Sequence, residues 1–591
     1  MTDETGKPAT GAAAAIPSLE QMQQWTGVIG SAQQMMMEYV SAQMNRAGKA
    51  DAIGKLPGFT GDPARIAKAQ ADFWADSMIM WQRFVTPEDP PVPSPLAAAA
   101  DKDRRFSAPQ WRDNPLFDMI RQSYLMVADH MLRGVDAIEG VDEKQREKIR
   151  FATRAYIDAV SPSNFPVTNP QVIEKTIESN GQNLLTGLER MLADMTKGQL
   201  THTPGEAFEL GRNIATTPGK VIKETDLYQL IQYSPTTKTV FETPLLIFPP
   251  WINRYYILDL NPEKSFIRWA VEQGITVFVV SWKSADASMA DVTMDDYVER
   301  GQIDAIDTVR DALGVGGVHT IGYCVAGTTL AATLALLAER GQADKVASAT
   351  FFTAQVDFEQ AGDLQLFVSE DQMALLTALS AEHGFLDGRY MAATFNLLRG
   401  RDLIWSYVVN NYMMGQDYPP FDLLHWNGDT TNLPAKWHKA YLEDLYRDNK
   451  LAQAGEYVVA GTPIDLGRVK TPCYIQAGRE DHIAPAESVW KLTHHFRGPI
   501  RFVLAGSGHI AGVVNPPSAG KYQYWTNDRE VATLDEFVAG ATETRGSWWP
   551  DWLDWIAARS GKQVPAKKAR VPGKGSLAAI EDAPGRYVRS R

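Results

Sequence analysis

VHTIGYCVAGTTLAA, residues 318–332, is the stretch of this 591-residue chain that decides its fold. It runs from an apolar segment typical of a buried strand, through a turn of small residues, into a helical run of alanine, threonine and leucine. Cys324 stands at the turn, where a strand-to-helix junction holds a nucleophile in strained backbone angles above the sheet. Such junctions usually have glycine two residues after the nucleophile, whereas this chain has Ala326 there and Gly327 next. The pattern alone also fits a buried structural cysteine, so the assignment of Cys324 as a nucleophile depends on finding an acid and a histidine elsewhere in the sequence.

Two later loops supply those partners. GREDHIAP, residues 478–485, follows a strand-like segment and carries Asp481, and AGSGH, residues 505–509, follows the next such segment and ends in His509. Because active-site loops of open α/β sheets lie at the carboxyl ends of the strands, we expect the two side chains to meet Cys324 there. The order nucleophile, acid, histidine is that of the α/β-hydrolase fold. The sequence therefore predicts a catalytic triad of Cys324, Asp481 and His509.

Residues near these loops have secondary roles. His482, beside the predicted acid, is a rival base or a support for the triad, and Cys473, within an apolar strand, is expected to be inert. PPWINRY, residues 249–255, follows the first strand, where this fold supplies one amide of the oxyanion hole. We assign that amide to Trp251 and the second one to Val325, although the aromatic residues of the loop fit a simple pocket wall equally well.

Strand and helix patterns alternate in the second half of the chain. Short apolar, β-branched runs typical of buried parallel strands stand at residues 245–248, 275–280, 318–321, 346–352, 473–476 and 500–504. This alternation predicts a doubly wound α/β sheet, and the interruption at 358–470 predicts an inserted cap or lid. We predict a disordered lead-in at 1–17, a mostly α-helical N-terminal domain at 18–210, an α/β-hydrolase-fold catalytic domain at 211–560 and a C-terminal tail at 561–591.

Composition and charge exclude several other classes of protein. A formal net charge of -13 disfavours nucleic-acid binding, and neither paired cysteines nor a His-Glu-x-x-His motif indicates a metal site. Two cysteines in 591 residues fit a reducing, cytoplasmic compartment better than a disulfide scaffold. The sequence shows no signal peptide and no apolar stretch of transmembrane length, so we expect any membrane contact to be peripheral.

At these motifs the chain resembles the polyhydroxyalkanoate synthases, most closely the class I enzymes that make polyhydroxybutyrate. The likeness spans most of the chain and includes GYCVAG at 322–327, PPWIN at 249–253, VVSWK at 279–283, REDH at 479–482 and GSGH at 506–509. In that family the matching cysteine, aspartate and histidine are catalytic. The tryptophan matching Trp426 is associated with dimer contact, although packing in the core of the lid is the alternative for that side chain.

The resemblance implies a reaction and a cellular setting. It implies polymerisation of (R)-3-hydroxyacyl-coenzyme A, with 3-hydroxybutyryl-coenzyme A as the expected substrate, into polyhydroxyalkanoate with release of coenzyme A. The substrate carries the coenzyme, so no separate cofactor is expected. It also implies a homodimer in the cytoplasm on the surface of polymer granules, in contact with the growing polymer and with granule-associated proteins.

A cysteine nucleophile suits this chemistry. His509 accepts the thiol proton, and attack on a coenzyme A thioester exchanges one thioester for another, so the acyl group stays activated for attack by a 3-hydroxyl group. Asp481 assisting the hydroxyl more directly is a second possibility. A lid that excludes water favours polymerisation over hydrolysis. The alternatives are a thioesterase or lactone hydrolase with the same triad, and a granule-coating protein on a decayed hydrolase scaffold, against which the intact triad argues.

Overall fold

The computed structural model describes residues 72, 75–78, 103–138, 140–368 and 370–590, so the predicted lead-in lies outside the described residues. The chain divides into two compact units. The first comprises Met1–Leu200 together with Arg399–Tyr418, and the second comprises Thr201–Leu398 together with Pro419–Arg591. The segment Arg399–Tyr418 falls within the stretch that the sequence predicts as a lid, yet it belongs to the helical unit.

The described part of the first unit is helical. Its helices are α1 Gln110–Asp113, α2 Pro115–Asp136, α3 Glu143–Ala159, α4 Pro170–Glu178 and α5 Gln182–Lys197, with π-helical turns at Arg401–Trp405 and Val408–Met413. The Asn183 side chain donates a hydrogen bond to the Met413 carbonyl at 2.7 Å. A Cβ on Gly187 would lie 1.5 Å from the carbonyl oxygen of Tyr412, so only glycine permits this approach. These contacts explain why 399–418 packs with the first unit.

The second unit is built on an eleven-stranded sheet in the order β15-β14-β13-β12-β7-β6-β4-β5-β2-β1-β17. The strands of the unit are β1 Gly219–Glu224, β2 Tyr228–Tyr233, β3 Thr239–Phe241, β4 Leu245–Phe248, β5 Val277–Trp282, β6 Val318–Tyr323, β7 Val346–Phe352, β8 Phe385–Leu386, β9 Leu433–Pro434, β10 Val458–Val459, β11 Thr462–Pro463, β12 Cys473–Gly478, β13 Ile500–Ala505, β14 Gln523–Thr526, β15 Thr542–Arg545, β16 Gln563–Pro565 and β17 Glu581–Asp582. Strands β5, β4, β6, β7, β12 and β13 pair in parallel, and antiparallel strands flank them on both sides. The six predicted strands are this parallel centre.

Helices cover both faces of the sheet. They are α6 Phe266–Glu272, α7 Met294–Asp296, α8 Asp304–Leu313, α9 Val325–Glu339, α10 Glu370–Ala381, α11 Gly388–Leu398, α12 Asp422–Gly428, α13 Ala435–Ala440, α14 Ala486–Trp490, α15 Leu492–His495, α16 Leu534–Ala539 and α17 Trp549–Ala557, with π-helical turns at Tyr297–Ile303 and Tyr441–Arg447. Side chains alternate between the two faces of a strand, so Phe278 and Val280 enter one core while Val277 and Val279 enter the other. Burial on both faces explains why the parallel strands read as continuous apolar runs.

The C-terminal residues differ from the predicted tail. Strand β17 pairs with β1 and completes one edge of the main sheet, while β16 pairs with β3. The guanidinium group of Arg570 is buried and donates a 2.6 Å hydrogen bond to the Glu242 carbonyl. The sequence did not indicate these strands because a short polar strand has no apolar signature of its own and is fixed by the edge that it covers.

Candidate active site

The backbone at Cys324 has the strain that a nucleophile turn requires. Cys324 adopts φ 53° and ψ -126°, and helix α9 begins at the next residue. Positive φ is uncommon for a side chain with a Cβ, so surrounding contacts must hold it there. A Cβ on Gly322 would lie 2.5 Å from the Cα of Gly327, and one on Gly327 would lie 2.4 Å from the Cβ of Ala354. Gly327 is therefore the close-packed position of this turn, and a methyl group at Ala326 is accommodated.

Asp481 and His509 meet beneath this turn. The Nδ1 atom of His509 lies 2.7 Å from Oδ2 of Asp481, whose side chain is fully buried. The other carboxylate oxygen, Oδ1, accepts hydrogen bonds from the amides of Ile483 at 2.8 Å and Ala484 at 2.9 Å. The Tyr323 hydroxyl donates a 2.9 Å hydrogen bond to the carbonyl oxygen of His509. The carboxylate is thus fixed on the Nδ1 side of the imidazole, and the loop of His509 is tied to the nucleophile turn.

The electrostatics of the pair favour a charged imidazole. Burial lowers the pKa of His509, but the negative charges of Asp481 and Cys324 and its hydrogen bonds to both side chains outweigh burial and raise it to about 10. The influence of Cys324 on this pKa places the sulfur near the imidazole, so the structure brings the three predicted triad residues together. Helix α9 adds the positive end of its dipole beside Cys324, which stabilises negative charge on sulfur.

An apolar cavity opens at Cys324. Its volume is about 90 Å³, below the range of pockets that enclose a drug-sized ligand, so it suits an acyl group better than a whole coenzyme. The wall comes from the nucleophile turn, from the loop after Asp481 and from the cap, and its apolar members include Leu364, Val368, Leu376, Met391, Phe395 and Leu442. Cap side chains therefore shield the sulfur from water.

The predicted oxyanion residues lie in different surroundings. Val325 lines the cavity, whereas the ring of Trp251 is buried and stacks on Tyr297 at a centroid distance of 4.0 Å. Its neighbour Ile252 lines the cavity instead. The Trp251 carbonyl accepts a hydrogen bond from the Thr431 hydroxyl, which fixes the peptide plane that it shares with the Ile252 amide. Of this loop, Ile252 lines the cavity, and the assignment of the oxyanion amide to Trp251 stays a prediction.

Two family models match this chain. Residues 102–270 match the N-terminus of poly-beta-hydroxybutyrate polymerase, and residues 244–516 match the alpha/beta hydrolase fold. The poly(3-hydroxyalkanoate) polymerase subunit PhaC of Rhizobium meliloti (strain 1021) is 47% identical over 534 residues, which cover 90% of this chain and 86% of the relative. The poly(3-hydroxyalkanoate) polymerase of Methylorubrum extorquens is 45% identical, with coverage of 90% and 88%. The PhaC subunit of Cupriavidus necator (strain H16) is 43% identical over 91% of each chain.

The chain belongs to the poly(3-hydroxyalkanoate) polymerase family. The resemblance found in the sequence is thereby confirmed, as are the α/β-hydrolase fold and the assignment to the acyltransferases. Within the described residues, no helix combines the length and apolar character needed to cross a bilayer.

Three other predicted residues of this family member have definite positions. His482 is half-buried, and its carbonyl accepts a 3.2 Å hydrogen bond from the Asp363 amide, so its peptide joins the acid loop to the cap. Trp426 is 4% exposed, and its Nε1 donates a 2.7 Å hydrogen bond to the Arg254 carbonyl. The ring therefore packs within the chain, and the role of Trp426 in dimer contact stays a prediction. Cys473 is buried in strand β12 and is not part of the His509 site.

The cavity wall also contains residues that the sequence analysis did not single out. Thr353 follows β7, has φ 41°, and presents a buried hydroxyl without a hydrogen-bond partner in the described chain. His438, on α13 of the cap, lies in the cavity wall as well. A positive φ at a β-branched residue has no signature in a single sequence. His438 sits in an aromatic helix whose orientation only the packing decides.

Proposed function

We propose that the chain polymerises (R)-3-hydroxyacyl-coenzyme A, with 3-hydroxybutyryl-coenzyme A as substrate, through an acyl thioester on Cys324. The observation that carries the proposal is the buried Asp481–His509 pair beneath a strained cysteine at a helix N-terminus. Membership of the poly(3-hydroxyalkanoate) polymerase family supports the substrate class.

The first half-reaction moves the acyl group to the enzyme. His509 accepts the thiol proton of Cys324, and the Cys324 sulfur attacks the thioester carbonyl. The amides of Val325 and of the 249–255 loop stabilise the oxyanion. Collapse of the tetrahedral intermediate breaks the bond to the coenzyme sulfur, and His509 protonates the leaving thiolate. Free coenzyme A, acyl-Cys324 and a neutral imidazole result.

The second half-reaction extends the polyester. Acylation removes the negative charge on sulfur that helped to raise the His509 pKa, so the neutral imidazole becomes available as a base. It takes the proton of an incoming 3-hydroxyl group as that oxygen attacks the acyl carbon. The carbon–sulfur bond then breaks, an oxoester forms, and thiolate and imidazolium are restored. One ester bond forms for each coenzyme A released.

Asp481 acts in this scheme by holding His509. Its carboxylate already accepts two amide hydrogen bonds on Oδ1 and one imidazole hydrogen bond on Oδ2, and its side chain is fully buried. This geometry supports an orienting role over direct removal of a proton from the hydroxyl group.

The cellular part of the proposal rests on the resemblance described above. It comprises a homodimer, a cytoplasmic location on polymer granules and contact with granule-associated proteins. The second candidate function, thioester hydrolysis, uses the same triad with water as acceptor. The apolar lining of the cavity favours polymerisation over it.

The decisive experiment follows thiol release, polymer and free acid when purified protein and its Cys324→Ala variant receive 3-hydroxybutyryl-coenzyme A. We expect thiol release with polymer from the wild type and neither from the variant. Thiol release with only free acid would replace the proposal by a thioesterase. No thiol release from folded wild-type protein would refute the proposed function for this substrate.

A further inference from the structure

A second cavity lies beside the catalytic one, within the second unit. Its volume is about 220 Å³, and it shares three wall residues with the catalytic cavity: Leu376, His438 and Leu442. These side chains form the partition between the two spaces. An acyl group that grows from Cys324 therefore meets this partition if it extends toward the cap.

The hydroxyl groups around the second cavity are already satisfied. Thr377 donates a 2.7 Å hydrogen bond to the Met373 carbonyl, and Ser380 donates one of 2.7 Å to the Leu376 carbonyl. Each bond runs back along helix α10, which leaves the hydroxyl hydrogens pointing away from the cavity. The space therefore offers a mainly apolar surface to an occupant, and Lys436 and Lys439 also line it.

The imidazole of His438 is different. It is 7% exposed, lines both cavities, and burial lowers its pKa to about 4. The ring is thus neutral at neutral pH and holds one N–H donor and one acceptor in the partition. A hydrogen-bonding side chain in the wall of both cavities can serve an occupant that offers an acceptor.

Packing fixes the direction of this side chain. The neighbouring Trp437 is fully buried, lies edge-on to Trp251 at 5.2 Å and stacks on Tyr441 at 4.9 Å. These contacts set the rotation of helix α13 and hold the next residue, His438, in the partition. The packing of Trp437 therefore holds the imidazole of His438 in one position before any ligand binds.

We propose that His438 is a positioning residue for the growing polyester, which passes from Cys324 across the Leu376–His438–Leu442 partition into the second cavity. The ring N–H donates a hydrogen bond to an ester carbonyl of that chain. The inference rests on the proposed function. A polyester of 3-hydroxy acids matches the site because it is apolar along most of its length, carries no charge, and offers a carbonyl acceptor in every unit.

The test compares His438→Leu, which removes the donor, with His438→Gln, which keeps one. We expect His438→Leu to lower the rate of elongation about fivefold to tenfold, to lower the first release of thiol by less, and to shorten the polymer. Its melting temperature should equal or exceed that of the wild type, since a buried polar side chain is replaced by an apolar one. His438→Gln should recover most of the polymer length. His494→Leu, at an exposed histidine outside both cavities, is the matched control.

Wild-type elongation and polymer length in His438→Leu would overturn the inference. So would an equal fall in both half-reactions together with a lower melting temperature, because that pattern marks a purely structural role. A binding measurement separates this inference from the proposed function. In the Cys324→Ala background, His438→Leu should weaken binding of a 3-hydroxybutyrate trimer methyl ester about fivefold, and unchanged binding would overturn the inference even in a protein that releases no thiol.

Discussion

Cys324 follows the carboxyl end of β6, whereas Cys473 opens β12 at the amino end of the same parallel sheet. Cys324 is partly exposed, has a strained backbone and lies near His509, whose pKa it helps to raise. Cys473 is fully buried, its thiol donates to the Thr471 carbonyl at 3.1 Å, and burial raises the pKa of that thiol. The same residue type is therefore a nucleophile candidate at one edge and core packing at the other.

Two histidines repeat this contrast. His509, at the carboxyl edge, has a pKa raised to about 10, with burial opposed by its acidic partners. His319, within β6, lies between the Ser348 hydroxyl at 2.7 Å and the Ser560 hydroxyl at 3.0 Å, and burial lowers its pKa to about 4. Acidic partners raise the pKa of His509, whereas burial and the charge of Arg559 lower that of His319, and this difference decides which histidine can exchange protons in catalysis.

The largest effect is expected when each of the two cysteines is replaced by alanine in turn. Cys324→Ala should lower thiol release from 3-hydroxybutyryl-coenzyme A by at least about a thousandfold, since it removes the nucleophile. Cys473→Ala should leave that rate within about twofold and lower the free energy of unfolding by about 1–2 kcal/mol. Thiol release and denaturant unfolding measure the two effects. A strong loss of activity in folded Cys473→Ala would contradict the assignment of roles to the two edges.

A second test concerns the strain at the carboxyl edge. Gly327→Ala places a methyl group against the Cβ of Ala354 and the carbonyl of Gly322, so it should lower the unfolding free energy by about 1–3 kcal/mol and misplace Cys324. Ala326→Gly removes a methyl group and lowers helix propensity, so it should lower the free energy of unfolding by about 1 kcal/mol. Its activity should stay within about twofold of wild type. Equal effects of the two substitutions would show that the close packing at Gly327 does not hold the turn.

The smallest expected effect is on stability, where the contributions of His509 and His319 should change with pH in opposite directions. A folded-state pKa raised to about 10 means that His509 stabilises the fold fully below its ordinary pKa near 6.5 and loses this contribution as the pH rises through about 10. Because the pKa of His319 is lowered, its neutral form stabilises the fold above pH 6.5, and this stabilisation is lost as the pH falls through about 4. Melting temperatures of wild type, His509→Gln and His319→Gln across this range measure both. The wild-type advantage should shrink toward alkaline pH for His509 and toward acid pH for His319, and a common direction would refute the contrast.

The parallel centre of the sheet was predictable because its strands are buried on both faces. Each reads as an apolar, β-branched run, as in β5 and β7, and the functional loops follow them at fixed offsets. The antiparallel strands β1 and β2 were missed because polar residues such as Lys220 and Gln229 interrupt their pattern. Pairing with neighbours, which a single sequence does not reveal, decides that these segments are strands.

The sequence by itself determined the fold class, the family and the three residues that could form a triad, because strand burial and turn chemistry are local and leave a pattern in order and spacing. Only the tertiary structure decided that Asp481 is held by two amides and His509, that 399–418 packs with the helical unit, and that residues after 561 complete a sheet edge. It alone placed His438 in the partition beside the catalytic cavity. These features depend on contacts between segments far apart in the chain, where burial and charge are set by neighbours and not by the residue type.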